Sequence, residues 1–182
     1  FLISLFALII LSPLFLIVSV GVLISDGSPV FFRQKRVGKN NELFEIYKFR
    51  TMKRGTENVA SNDLSDADVK ITRFGKILRA TSIDELPQLV NVLRGDMSLV
   101  GPRPEGPFFV KKFQEEIPRY MIKHQVRPGM TGWAQVNGYR GDTSIRKRIE
   151  HDVYYIENWT LGLDIKILFL TVFKGFINKN AY

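Results

Sequence analysis

The chain of 182 residues contains no cysteine and only two histidines and two tryptophans. Without cysteine it can form neither disulfide bonds nor thiolate metal sites, and this absence fits a reducing compartment. Acidic residues are outnumbered as well, since 18 Asp and Glu stand against 26 Lys and Arg, for a formal charge of +8. A basic surplus of this size favours anionic partners such as nucleic acids, anionic lipids or phosphorylated small molecules.

Length and composition predict one domain with a sizeable core, because 182 residues with 45% hydrophobic content are ordinary for a globular protein. No internal repeat and no second domain are visible. The patterning predicts an α+β fold that is mostly helical. Since the chain begins with Phe1 inside an apolar run, we expect it to be a fragment of a longer protein.

Residues 1–24 carry no charge. As a single helix they would reach about 36 Å, enough to cross a bilayer core. Pro13 lies in the middle, however, and predicts a kink there, while each half, at roughly 18 Å, is too short to span. Two readings stay open, a kinked spanning helix or a re-entrant helix at 1–25 that returns to the same face. The Ser12 hydroxyl could bond carbonyls that Pro13 frees, and residues 26–182 are expected on the cytoplasmic side in both readings.

The remainder of the chain reads as alternating short elements and loops. In chain order the patterns predict a strand–turn–strand unit at 30–52, a mobile loop at 55–70, amphipathic helices at 71–80 and at 85–95 ending at Gly95, a loop at 96–107, a helix at 108–125 broken at Pro118, a glycine-rich loop or short strand at 126–142, and a helix at 143–159.

The last helical pattern, at 161–177, is almost wholly apolar. Four polar residues in and just after it, Asp164, Thr171, Lys174 and Asn178, fall near one stripe. It predicts either a core helix or an amphipathic helix in the membrane interface, where Tyr154, Tyr155 and Trp159 would act as belt residues.

The segment "RATSIDELPQLVNVLRG" sets two acids side by side, Asp84 and Glu85. Ser82 and Glu85 match a capping box, but that register would make Pro87 the fifth helical residue, where an amide is needed. With Asp84 as N-cap, Pro87 falls in the first turn, and we favour this register. A helix N-terminus would hold both acids ionised. Capping needs one acid, so the second is a candidate for catalysis.

Basic residues surround this acidic pair in the sequence. Arg79 leads into it, Lys48 and Arg50 follow a predicted strand, and Arg103 is fixed between two prolines, which suits a phosphate. Carboxylates ringed by cations beside a membrane suit a phosphorylated substrate with Mg²⁺ held by carboxylate and phosphate oxygens. An ionised aspartate could also attack phosphorus and form an acyl phosphate.

Four segments, "KFRTM", "LRATSIDELPQLVNVLRGDMSLVGPRP", "RPGMTGWAQVNGYRGD" and "DVYYIENWTLGLDIKILFLT", resemble the bacterial sugar transferase family, the monotopic phosphoglycosyl transferases. The resemblance implies an enzyme at the cytoplasmic face of the bacterial inner membrane. It would move a sugar-1-phosphate from a UDP-sugar to undecaprenyl phosphate and release UMP. Matching by position implies that Asp84 is the nucleophile, that Asp84 and Glu85 bind Mg²⁺, and that Ser12 and Pro13 break a re-entrant helix.

Within that family the chain is most similar to the large members that initiate exopolysaccharide or capsule synthesis, with glucose- or galactose-1-phosphate as the expected cargo. Expected partners are the UDP-sugar, undecaprenyl phosphate, membrane lipids and a second copy of the chain. The candidate substrate-binding residues are Lys48, Arg50, Arg79, Arg103, Arg127, Trp133, Gln135 and Asn137. The last three could bind uracil or be an ordinary buried tryptophan with turn amides.

Two further expectations concern histidines and rival functions. His124 and His151 have no partners at metal-ligand spacing and are expected at the surface. A nucleic-acid binder is suggested by charge alone, and no groove-reading motif or aromatic stacking platform supports it. A non-catalytic scaffold for polysaccharide assembly is the remaining alternative, which the intact acidic pair disfavours.

Overall fold

The computed structural model describes residues 1–54, 70–141 and 143–175, so the loop predicted at 55–70 lies almost wholly outside the described residues. The fold is α+β and mostly helical, as predicted. Its helices and strands are α1 Leu2–Asp26, β1 Phe31–Val37, β2 Leu43–Phe49, α2 Arg73–Ala80, α3 Gln88–Arg94, β3 Ser98–Val100, α4 Pro107–Glu116, β4 Gly129–Thr131, α5 Trp133–Val136, α6 Ile145–Glu157 and α7 Leu161–Gly175, with 3₁₀ turns at Lys39–Asn41, Ile83–Glu85 and Tyr120–Gln125.

Helix α1 runs through Pro13. The Ser12 hydroxyl donates to the Ile9 carbonyl oxygen at 2.8 Å. Ile9 is four residues before Pro13, so this carbonyl is the one that loses its amide donor. The hydrogen bond expected from Ser12 to a freed carbonyl is therefore present, and a break of the helix at Ser12 and Pro13 stays a prediction. In the described part of the chain, α1 is the one helix long and apolar enough to cross a membrane. A return of the chain to the same membrane face stays a prediction.

The second half of α1 packs against the rest of the domain. Val18 and Val22 are buried in a cluster with Phe49 and Leu78, whereas Ile17 on another face is 67% exposed. The helix therefore presents one apolar stripe to the protein and another outward.

Strands β1 and β2 form the predicted hairpin, antiparallel and in register from Phe31 opposite Phe49 to Val37 opposite Leu43. The buried Asn91 of α3 ties this hairpin to the next helix. Its Oδ1 accepts from the Tyr47 amide at 3.1 Å, and its Nδ2 donates to the Glu45 carbonyl at 2.7 Å. These two hydrogen bonds hold β2 beside α3.

The acidic pair does not cap a helix, so the favoured register with Asp84 as N-cap is wrong. Ile83–Glu85 is a separate 3₁₀ turn, and the N-cap of α3 is Pro87. The reason lies in Ser82, whose left-handed backbone (φ 56°) turns the chain ahead of the acids, so the helix starts only after them. The capping box is absent too, because the Ser82 side chain makes no cap bond. The end of α3 at Gly95, with φ 85°, is as predicted.

The loop predicted at 96–107 and the glycine-rich loop or short strand predicted at 126–142 contain a short parallel pair, β3 with β4, in which Val100 lies opposite Thr131. Two glycines let the chains approach closely. A Cβ on Gly101 would lie 2.6 Å from the Arg127 carbonyl oxygen, and the Gly129 amide donates to the Pro102 carbonyl at 2.9 Å. This pairing fixes the start of the loop that carries Arg103.

Helix α7 is half core and half surface. Ile167 is fully buried, and Asp164 accepts from the Tyr155 hydroxyl at 2.8 Å and from Trp159 Nε1 at 3.2 Å. The opposite side leaves five large apolar residues exposed, Leu161, Ile165, Phe169, Val172 and Phe173. The core reading therefore holds for one side, and an interfacial position of the other stays a prediction. The break predicted at Pro118 is confirmed, since α4 ends at Glu116.

Candidate active site

Glu85 is the centre of a dense set of ion pairs. Its Oε1 lies 2.8 Å from Lys48 Nζ and 2.6 Å from Arg103 Nη2, and its Oε2 lies 3.3 Å from Arg103 Nη1 and 3.4 Å from Arg140 Nη2. The residue is only 7% exposed. Arg103 therefore grips the carboxylate with both arms of its guanidinium, the geometry in which arginine binds most specifically.

The environment keeps Glu85 charged. Burial alone would raise its pKa, but Arg103, Lys48 and Arg140 outweigh burial and hold the pKa well below the ordinary value of 4.5. Glu85 is thus an anion whose two oxygens already serve to hold cations in place.

Asp84, directly before it, is in a different state. It is 6% exposed, and its buried Oδ1 has no hydrogen-bond partner among the described residues. Burial, with a smaller contribution from the charge of Glu85, raises its pKa, while Lys48 and the arginines at 79 and 140 oppose that rise. The pair therefore divides into one carboxylate that is fully engaged and one that keeps an unengaged oxygen.

Four separate elements bring the cations to this turn. Lys48 comes from β2, and Arg79, from the last turn of α2, is held by a bond from its Nε to Thr51 Oγ1 at 2.9 Å. Arg103 stands between two prolines after β3. Arg140 follows α5 and also donates to Ser82 Oγ at 3.0 Å. The hairpin, one helix and two loops thus converge on one anionic turn.

The acidic turn fits a magnesium ion that is shared with substrate. No group of three or more His, Cys, Asp or Glu side chains suitable for a metal occurs in the described ranges. Mg²⁺ usually binds through one or two carboxylates plus substrate phosphates and waters. The unengaged oxygen of Asp84 suits that mode. The oxygens of Glu85 suit it less, because cations already occupy them.

Comparison with known proteins places this site in a family. The sequence profile described as bacterial sugar transferase matches residues 1–178. The chain belongs to the bacterial sugar transferase family. It is 45% identical over 179 residues to the UDP-glucose:undecaprenyl-phosphate glucose-1-phosphate transferase of Escherichia coli (strain K12). The aligned region covers 96% of this chain and 39% of that protein.

Two other relatives show the spread within the family. The UDP-N-acetylgalactosamine-undecaprenyl-phosphate N-acetylgalactosaminephosphotransferase of Aeromonas hydrophila is 51% identical, over 91% of this chain and 40% of its own length. An uncharacterized sugar transferase of Bacillus subtilis (strain 168) is 44% identical, over 97% of this chain and 84% of its own length. The transferase chain thus spans about two fifths of the E. coli and Aeromonas relatives.

Two of the predicted substrate-binding arginines lie apart from the Glu85 cluster. Arg50 is 4% exposed, donates to the carbonyls of Asp26 and Gly27, and forms an ion pair with the Asp26 carboxylate at 3.3 Å. It therefore ties the end of α1 to the end of β2. Arg127 is exposed and lies two residues before β4.

The residues predicted for uracil form a small group around α5. The Trp133 ring stacks on Tyr154 with centroids 6.0 Å apart, and Lys166 Nζ lies 5.4 Å from its centroid. Gln135 Nε2 donates to the Met130 carbonyl at 3.3 Å. Asn137 Nδ2 donates to the Trp133 carbonyl at 2.8 Å, which makes it the turn amide of the alternative reading. Uridine binding by this group stays a prediction.

Sequence reasoning missed Arg140 and misplaced His124. The sequence did offer a signal for Arg140, because Gly138 and Gly141 in "GYRGD" let this arginine approach another segment of the same chain closely. His124 was expected at the surface but is only 5% exposed, because it packs edge-on against the buried Tyr120 ring. Burial, assisted by the charge of Lys123, lowers its pKa to about 4, so it is neutral at physiological pH.

Proposed function

We propose that this chain transfers a sugar-1-phosphate, glucose- or galactose-1-phosphate, from a UDP-sugar to undecaprenyl phosphate through a covalent aspartyl intermediate and with release of UMP. The carrying observation is the split within the acidic pair: Glu85 is fully engaged by cations, and Asp84 keeps a buried, unengaged oxygen beside them. The names of the E. coli and Aeromonas relatives, which state their donor and acceptor, support the substrate classes.

In the first step, the Asp84 carboxylate attacks the phosphorus that bears the sugar. The new bond joins the aspartate oxygen to phosphorus, and the bridging P–O bond breaks, with its electron pair leaving on UMP. In the second step, a phosphate oxygen of undecaprenyl phosphate attacks the same phosphorus. Asp84 is released as a carboxylate, and the lipid carries the sugar on a diphosphate.

The cations around the pair have two roles in this scheme. They offset the repulsion between a carboxylate nucleophile and a phosphoryl group, and fixed donors of this kind stabilise charge that moves onto the leaving phosphate. The charges of Arg79 and Arg140 lower the pKa of Asp84, so both lie near this carboxylate, and we expect them to bind the diphosphate there. Mg²⁺, when bound at Asp84 and the substrate phosphates, would neutralise further charge on the diphosphate.

A membrane position for the site follows from the same proposal, because undecaprenyl phosphate is a lipid. Its support is the exposed apolar side of α1 and that of α7, both on helices that pack against the catalytic domain. We expect α1 to enter and leave on the cytoplasmic face. Cysteines placed at positions 1 and 26, in a chain without native cysteine, can be labelled with an impermeant thiol reagent in oriented vesicles. Labelling from opposite faces would show a spanning helix.

The nucleophile is tested by Asp84→Asn, with Asp96→Asn as the matched control at a half-buried aspartate that binds Asn91. Purified protein is incubated with UDP-glucose, UDP-galactose or UDP-N-acetylgalactosamine, without acceptor. We expect a stoichiometric burst of UMP and a phosphosugar adduct in the intact mass for wild type and Asp96→Asn, and neither for Asp84→Asn.

Absence of the adduct, together with normal UMP release by Asp84→Asn, would refute the covalent mechanism. A wild type that releases no UMP from any of the three donors would instead favour the scaffold alternative.

A further inference from the structure

Arg148 of α6 is a buried arginine, 9% exposed, that reaches three partners outside the acidic pair. Its Nη1 donates to Glu105 Oε1 at 3.0 Å. Its Nη2 donates to the Gly141 carbonyl at 2.6 Å and lies 3.5 Å from Thr143 Oγ1. One guanidinium thus joins two loops that are distant in sequence.

Each of these loops carries an arginine that grips Glu85. Glu105 is two residues beyond Arg103, across a proline that stiffens the connection. Gly141 directly follows Arg140. The Glu105 carbonyl also accepts from the Val37 amide at 3.0 Å, which fixes its loop to the end of β1. A shift of either partner of Arg148 therefore moves a cation of the active site.

We propose that Arg148 is a positioning residue that braces the Arg103 loop against the Arg140 loop and so sets where both guanidiniums stand around the acidic pair. This inference rests on the proposed function. Among the described residues, Arg148 forms no hydrogen bond or ion pair with Asp84 or Glu85, so it acts through the two loops.

The charge balance around Arg148 keeps the brace intact. Glu105 is buried, which alone would raise its pKa, but Lys123 and Arg148 outweigh burial and lower it, so the carboxylate stays charged. Lys123 lies 4.0 Å from Glu105 and 3.3 Å from Asp152. Removing one partner from buried ions of this kind leaves an uncompensated charge. A lysine at 148 would keep the charge but lose the planar fork that binds in two directions.

The test compares Arg148→Gln and Arg148→Lys with Arg146→Gln, an exposed arginine on the same helix. UMP release is measured against UDP-sugar concentration, and UDP affinity by calorimetry. A misplacement of about 1 Å can lower activity about a hundredfold, so we expect a loss of that order in kcat/KM for Arg148→Gln. Arg148→Lys should recover only part of it, and Arg146→Gln should match wild type.

Two measurements separate positioning from a general loss of stability. Amide hydrogen exchange at residues 138–141 should speed up in both Arg148 variants while α2 and the hairpin stay protected. Arg140→Gln combined with Arg148→Gln should lose less than the sum of the two single effects, because the second change acts partly through the first. If Arg148→Gln does not fold, Arg148→Lys carries the same comparisons.

Unchanged exchange at residues 138–141, or additive losses in the double variant, would overturn the brace. If wild type releases no UMP, the proposed function fails on its own. In that case the exchange rates and the affinity for UDP still decide whether Arg148 holds the Arg140 loop.

Discussion

Replacing Glu85 by glutamine is the most direct perturbation of the site, because the side chain keeps its shape and loses only its charge. Glu85 accepts hydrogen bonds from Lys48 and from both arms of Arg103, and it forms an ion pair with Arg140, all within 3.4 Å. Glutamine turns one of its two acceptors into an NH₂ donor that would face these cations. Three buried or half-buried cations would then repel one another without the charge of Glu85 between them.

The magnitude follows from burial. Breaking a buried ion pair by removing one partner lowers the free energy of unfolding by about 3–5 kcal/mol. Loss of a helix cap lowers it by only about 1 kcal/mol. The folded-state pKa of Glu85 is depressed below 4.5, so its contribution is fully present above pH 4.5 and is lost as the pH falls through the depressed value. The gap between wild type and variant should thus be full at pH 7 and shrink below about pH 4.5.

Unfolding in guanidinium chloride, followed by the fluorescence of Trp133 and Trp159 on detergent-purified protein, measures the difference. Glu45→Gln is the control, since Glu45 pairs with Arg33 at 3.9 Å on an exposed face and should lose less than about 1 kcal/mol. A loss of only about 1 kcal/mol for Glu85→Gln, equal at pH 7 and pH 4, would refute the view that Glu85 holds the cations together.

Three further outcomes follow from the same geometry. Arg103→Lys should lower kcat/KM for the UDP-sugar by at least about tenfold, because a lysine keeps the charge but not the two-armed grip on Glu85, and unchanged steady-state kinetics would contradict this. Gly101→Ala should lower stability by about 1–3 kcal/mol and activity with it, since the new Cβ would lie 2.6 Å from the Arg127 carbonyl; an unaltered melting temperature would count against the close approach. The acid limb of kcat/KM should report ionisation of Asp84 above its ordinary pKa of 3.8, with activity falling as the pH falls while circular dichroism still shows a folded protein; full activity down to the unfolding pH would exclude Asp84 as the titrating group.

The hairpin and most helices were predictable because their signals are local. Alternating β-prone residues around "VGKNN" suffice for β1 and β2, and Gly95 suffices for the end of α3. The turn at the acidic pair was not predictable in detail. The left-handed backbone of Ser82 depends on Arg140, which lies 58 residues away and donates to the Ser82 hydroxyl. Capping rules consider only residues near the helix end in sequence, so they cannot predict an effect of a partner this distant.

Within the site, the acids and Arg103 stood out because their signals are local: two carboxylates just before a predicted helix, and an arginine between two prolines. Arg50 was expected at the substrate, and Arg140 was given no role. Only the path of the chain decides that Arg50 binds the end of α1 and Arg140 binds Glu85. The pairing of β3 with β4 was hidden because three-residue strands carry no usable periodicity.

The contact between Arg50 and the last turn of α1 makes the first helix and the hairpin one mechanical unit. Arg50 donates to the Asp26 and Gly27 carbonyls, and Lys48 stands only two residues before it on the same strand. If α1 lies in a bilayer, as proposed, the contact between Arg50 and the end of α1 sets the height of the acidic pair above the lipid. Under the proposed function, a lipid phosphate would then meet the acidic pair at one fixed depth, and diffusion within the plane of the membrane would be enough to bring it there.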